Sequence, residues 1–378
     1  MLCSLRLCVR QKMERRKVKT TFSVHVTPDW QGLRDTILRT GGPRRVHFIE
    51  LFLDPEVIAE ICRRYGIVEH LDPADPYYAE KREVAVQSFL GYDFVRCSLD
   101  RMDMPLRYLR AQDTAGLPRE QGREFVDEHK GPITNWDEFH QYPWPDPDKA
   151  STRALDWYEQ NLPENMCVMG SGGFAHYAEY ISWLMGYETL CLALFEQRDL
   201  VAAISQRLIE MYRKFLGRLL KYDRVKIVWG SDDMGFRGGT LISPDDLREF
   251  VLPGHREMAR MSHDAGRPYL LHSCGNLELI YEDLIEDVKI DAKHSFEDTI
   301  ERVIELKPKY GRRMALLGGI DVDFLCRSDQ TAVRKRVHQT LDACMPGGGY
   351  VLGTGNSVAN YIPIDNYLAM LDEGRRWS

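Results

Sequence analysis

Tyr269-Leu270-Leu271-His272-Ser273-Cys274-Gly275-Asn276 is the stretch on which the reading of this chain depends. Tyr269–Leu271 follows Gly266 and Pro268 and reads as a short, buried, apolar strand. His272 and Cys274 stand two apart at its end, and strand alternation sends both side chains to one side. Gly275-Asn276 makes a turn, and a helical run is expected over Leu277 to Ile285. An imidazole and a thiolate on one face of a strand end supply half of a tetrahedral zinc site. Two such residues in isolation fit a plain buried core better than a metal site, so the rest of the chain has to decide.

The same strand-then-helix rhythm extends in both directions. Before the stretch, strands are expected at Val46–Leu51, Phe94–Ser98, Cys167–Gly170 and Val225–Trp229. After it they are expected at Ile290–His294, Met314–Gly318 and Tyr350–Gly353. Helices are expected at about 30–39, 54–65, 151–161, 175–196 and 199–221. Another opens at Ser243-Pro244-Asp245-Asp246, which offers a serine cap, a proline in the first turn and early acids. Residues 100–150 read as an insertion rich in proline, glycine and charge, with Tyr142–Pro147 held extended by its prolines. Strands alternating with helices predict a parallel sheet, and eight of them predict a single (β/α)₈ TIM barrel with an N-terminal helical extension.

Barrel enzymes place their chemistry on the loops that follow the strands' C-terminal ends. In this sequence those ends carry Glu50, Cys97 with Asp100, Ser171 with its glycines, and Asp232 with Asp233. They continue with His272 and Cys274, His294 and Glu297, Asp321, and Thr354 with Asn356. Core packing does not call for polar and metal-capable groups at nearly every strand end. That pattern points to a functional mouth.

Composition sets outer bounds. The 378 residues are 44% hydrophobic and 28% charged, with a formal net charge of −7, which argues against a nucleic-acid surface. No apolar run reaches the length of a membrane span, roughly 20 residues. The nine cysteines are scattered, which predicts reduced thiols and a cytoplasmic setting. Residues 1–20 carry Arg6, Arg10, Lys12, Arg15, Arg16, Lys17 and Lys19 against Glu14 alone, with no apolar core for a signal peptide. They read as a disordered basic leader, or as residues upstream of a true start at Met13, with the barrel domain spanning 21–378.

Several stretches taken together resemble the uroporphyrinogen decarboxylase superfamily. They are the His-Ser-Cys-Gly-Asn strand end, Ile242-Ser243-Pro244 with Phe250-Val251-Leu252-Pro253, and Gly186-Tyr187-Glu188 ahead of Asp199. Gly347-Gly348-Gly349-Tyr350 with Pro363 and Asn366 completes the likeness, which covers roughly residues 30–376. The resemblance implies a (β/α)₈ barrel of one of two kinds: a porphyrinogen decarboxylase, or a zinc-dependent methyltransferase working with a corrinoid protein. The decarboxylases lead from their first strand into an arginine-rich loop for a substrate with eight carboxylates. This chain has Glu50 there and no arginine until Arg63, so the methyltransferase branch fits better. Porphyrinogen decarboxylation, and a catalytically silent barrel acting as a binding partner, are the alternatives.

That branch pairs its His-x-Cys, matched here by His272 and Cys274, with a further cysteine in a Gly-Cys-Gly turn. This chain has Gly353-Thr354-Gly355 at that turn, so the third ligand has to come from elsewhere. Glu50 is the first candidate, with Asp232, Asp233 and Glu297 behind it. A carboxylate donates less charge than a thiolate and leaves the zinc a stronger Lewis acid, which suits demethylation of a small O- or N-methylated substrate. The methyl group would pass to a corrinoid on a separate carrier protein, since no Asp-x-His-x-x-Gly stretch occurs here. Asp232, Asp233 and His294 are the expected proton-handling residues. Tyr177, Tyr180, Asn356 and Asp321 are the expected substrate contacts, although the tyrosines also suit a core. Asp321 could also orient His272 or cap a helix.

Overall fold

The computed structural model describes residues 22–42, 44–100, 102, 104–171 and 173–377. The expected basic leader lies outside them. The main sheet has seven parallel strands: β1 (Phe94–Cys97), β2 (Cys167–Gly170), β3 (Val225–Ser231), β4 (Tyr269–His272), β5 (Ala292–His294), β6 (Ala315–Leu317) and β7 (Tyr350–Val351). They neighbour one another in chain order, as in a sheet curling toward closure.

Strands buried on both faces need apolar side chains throughout, and β4 shows it: Tyr269, Leu270 and Leu271 are all fully buried. The expected first strand, Val46–Leu51, takes up its place differently. It meets the last strand's continuation through a single parallel bridge, Phe48 to Leu352, with Ile49 N–H donating to the Leu352 carbonyl at 2.9 Å. Among the described residues no ladder joins this segment to β1. The sheet therefore curls toward a barrel whose first segment is bridged on one side only.

Helix boundaries follow from local chemistry. Ser243 caps Pro244–Phe250 by accepting the Asp246 N–H at 3.1 Å, as the serine-proline-acid start predicts. The helix expected over 175–196 is two helices, Tyr177–Met185 and Tyr187–Glu196. Gly186 breaks it with φ +79°, where an added Cβ would meet the His129 carbonyl at 2.7 Å. The run after Asn276 is not one α-helix but a 3₁₀ turn, Glu278–Ile280, followed by a π-helical segment, Asp283–Val288.

The insertion has more structure than its composition predicts. It holds an antiparallel hairpin, Tyr108–Ala111 with Arg123–Val126, and a short helix, Trp136–Gln141. Arg119 ties it to the barrel through Glu56 at 2.9 Å, and Asn360 donates to Asp113 at 2.6 Å.

Candidate active site

The ladder between β3 and β4 fixes the centre. Ser231 is registered with His272, and the Asp232 N–H donates to the His272 carbonyl at 2.9 Å. The next residue along, Asp233, is thereby set beside Cys274, whose N–H donates to the Asp233 Oδ1 at 2.8 Å. Gly275 permits this closeness, because with φ +86° its added Cβ would sit 2.1 Å from the Gly235 carbonyl carbon. The glycine is required where two strand-end loops touch.

Three donor atoms then face one another. His272 Nε2 lies 3.4 Å from Cys274 Sγ and 3.5 Å from Asp233 Oδ1, and the trio's ligand atoms all fall within 4.8 Å of one another. Zinc bonds of about 2.0–2.3 Å in a tetrahedron separate ligand atoms by roughly 3.3–3.6 Å. The two spacings from His272 match that geometry. One oxygen, one nitrogen and one sulfur from the protein also leave a fourth position open, as catalytic zinc sites do. Asp233, Cys274 and His272 therefore fit the ion that the sequence led us to expect.

Around the trio the structure supplies orientation. His272 Nδ1 lies 2.7 Å from His294 Nδ1, its registered neighbour on β5. Burial, aided by His272, holds His294 well below the usual imidazole range, so it is neutral. For His272 Nε2 to offer a lone pair, its Nδ1 must carry the proton and donate it to His294. Asn356 Nδ2 donates to the Cys274 sulfur at 3.3 Å, and Ser295 Oγ lies 3.8 Å from it. Burial and then Asp233 push the Cys274 thiol up, so in the absence of a cation it keeps its proton. Burial alone would raise Asp233 too, but its bonds to His272 and Cys274 outweigh that and lower it.

The other expected site residues are placed as follows. Glu50 is not one of the three converging donors. It is buried and bound by Thr354, which gives it a backbone N–H at 2.9 Å and its hydroxyl. Thr354 thus engages the acid proposed to replace the missing cysteine. Burial pushes the Glu50 carboxyl up to about 8, against the pull of Thr354's two bonds. It is largely uncharged at neutral pH, so the charge repulsion that Glu50 was expected to offer a polyanionic substrate is largely absent.

Asp232 points away from the trio. It accepts the N–H groups of Ala178 at 2.9 Å and Glu179 at 3.0 Å, and pairs with His255 at 2.9 Å. Asp321 caps Val322–Arg327 through the Phe324 N–H at 2.8 Å and does not serve His272, whose second nitrogen belongs to His294. Tyr177 is fully buried, edge-on to Tyr212 and His255, and Tyr180 is buried beside Trp183.

Two cations near the mouth escaped the sequence reading. Lys293 on β5 is buried, donates to the Ser295 carbonyl and lies over the Phe296 ring at 4.4 Å, with burial lowering it to about 8. Arg96 on β1 donates through Nε to Ser171 Oγ at 2.8 Å and lies over Trp229 at 5.2 Å. The signal was available: each interrupts an apolar strand, as Phe94-Val95-Arg96-Cys97 and Ala292-Lys293-His294.

The model of the uroporphyrinogen decarboxylase (URO-D) family matches residues 128–377. The chain belongs to this family. Within it the resemblance runs to methyltransferases. A methylated-thiol–coenzyme M methyltransferase from Methanosarcina mazei is 29% identical over 130 residues, which are 34% of this chain and 33% of that protein. The chain thus spans about a third of the length of the curated relative it matches. The solved structure of a methyltransferase from Methanosarcina mazei superposes with a TM-score of 0.64 at 17% identity, covering 91% of this URO-D chain and 97% of the other. That overlay shows the shared barrel fold. Glu50 and Arg96 both precede residue 128, where the family match begins.

Proposed function

We propose that this URO-D family protein is a zinc-dependent methyltransferase that moves a methyl group from a small O- or N-methylated substrate to a corrinoid carried by a separate protein. The observation that carries the reading is the convergence of Asp233, His272 and Cys274 at spacings suited to a tetrahedral ion. The methyltransferase names of the relatives agree with it. Bound there, zinc supplies Lewis acidity, drawing charge from the oxygen or nitrogen that bears the methyl group.

The protein's own residues prepare that centre. His294 holds the His272 proton on Nδ1 and so keeps Nε2 free to donate. Asn356 stabilises negative charge on the Cys274 sulfur by its N–H. Asp233 and the Cys274 thiolate, with neutral His272, balance the two charges of the ion. Asp233 keeps an exposed side, 38% of its side chain, so the centre opens toward the mouth where a substrate and a carrier arrive. Phe52, Tyr108, Phe125, Phe236 and Tyr361 are exposed on segments that follow strand ends, and such aromatics suit a docking surface for the carrier.

The test is metal analysis of purified protein with a chelator-competition titration. We expect one zinc per chain, abolished in His272→Ala and weakened at least about tenfold in Asp233→Asn, with Glu50→Gln unaffected. Protein that demethylates its substrate at full rate in strong chelator, with no bound metal, would sink the proposal.

A further inference from the structure

The missing ladder between the first segment and β1 leaves a cavity of about 410 Å³. Its walls are mainly apolar, from Phe52, Leu53, Ile58 and Phe94, with Arg96 as its cation. Arg96 has its Nε on Ser171 and its plane over Trp229, which fixes the guanidinium. Among the described residues no acceptor meets its two terminal nitrogens. The acid in electrostatic reach, Glu83, accepts instead from Gln87 at 2.8 Å. Arg96 is part-buried, and its terminal N–H groups, lacking a paired acceptor, are left for whatever enters the cavity. Held in plane, its free edge offers two parallel N–H donors, the fork that matches a carboxylate.

The remaining groups limit what can enter. Glu50 also lines the cavity, and its raised pKa leaves it mostly neutral at pH 7, so it does not oppose one negative charge. Burial raises the Glu83 carboxyl too, which eases its opposition to an incoming anion, but a single arginine cannot offset a dianion or a polyanion. The cavity is also connected to the donor trio. Trp229 beneath Arg96 is in edge contact with His294 at 5.4 Å, and His294 holds His272. On the other side, Glu50 binds Thr354, two residues before the Asn356 that donates to Cys274.

We propose that this cavity binds the substrate, and that the substrate carries a single carboxylate on a compact apolar body, gripped in bidentate fashion by Arg96. That the bound molecule is the methyl donor rests on the function proposed above. That the cavity takes a monocarboxylate stands apart from it.

Calorimetric titration at pH 7 with benzoate and its uncharged isostere benzamide tests this. Benzoate should bind the wild-type protein about tenfold or more tighter than benzamide, the discrimination expected of charge-assisted bonds. Arg96→Gln should erase that preference, and Arg96→Lys should keep part of it. His272→Ala should bind benzoate within about twofold of wild type, since the carboxylate is held away from the donor trio. Trp229 emission should respond to benzoate in wild type, and Trp229→Phe identifies its share. That readout and the amide comparison decide the matter even if Arg96→Gln does not fold. Equal binding of acid and amide, or no benzoate binding, overturns the proposal. Benzoate binding that survives Arg96→Gln but is lost in His272→Ala also overturns it, by placing the carboxylate at the metal centre while leaving the methyltransferase reading intact.

Discussion

Glu50 shows how far one residue's surroundings can change its meaning. Its carboxyl sits against Thr354, shut off from water, and burial lifts it from 4.5 to about 8. An acid raised in the fold keeps its proton while the unfolded chain gives its own up. The contribution of Glu50 to stability is therefore greatest below pH 4.5, falls as pH rises toward 8, and levels above it. Glu50→Gln supplies the neutral form permanently and should remove this component. Urea midpoints of wild type and variant should run parallel below pH 4.5 and diverge in the variant's favour up to pH 8. The separation should be on the order of a few kcal/mol at most. Parallel curves across the whole range would show that Glu50 is ionised in the fold. In sequence, a glutamate after an apolar strand gives no hint of its partner, because Thr354 comes from the far end of the chain.

Asp232 and Asp233 make the case for elements. Adjacent at the end of one strand, they are indistinguishable by type, yet alternation sends them to opposite sides. Asp232 fastens the start of the helix Tyr177–Met185 and pairs with His255, fully buried. Asp233 joins the donor trio. Asp232→Ala leaves two backbone donors and one imidazole nitrogen of His255 unpaired and should cost about 3 kcal/mol or more, read as a lower denaturation midpoint. Asp233→Ala should change metal-free stability by less than about 1 kcal/mol while removing zinc affinity. Equal destabilisation by both would mean that Asp233, too, belongs to the scaffold. Neither outcome can be read from the dipeptide, since register against His272 decides which acid faces the mouth.

At the scale of the molecule, the donor trio connects two neighbouring strand ends, so a bound ion should stabilise the fold. A ligand bound by the native state alone at about a hundred times its dissociation constant adds about 2.7 kcal/mol. Zinc should therefore raise the melting temperature of the metal-free protein by several degrees, reversibly with chelator, and should leave His272→Ala unmoved. An equal rise in that variant would place the ion elsewhere. Among the described residues no helix is long and apolar enough to cross a membrane, and the seven of the nine cysteines that lie within them are unpaired.

The sequence by itself determined the order of strands and helices, the parallel sheet, and the strand ends at which the donor trio gathers. Those follow from hydrophobic period, helix caps and chain direction, which are local properties. It also marked His272 and Cys274, because two residues on one strand end share a side by alternation alone. The third donor, the His294 behind His272, the Thr354 holding Glu50 and the unladdered gap beside Arg96 were decided only by tertiary structure. Each depends on register between strands distant in sequence, and on how burial changes a group's charge once water has been excluded.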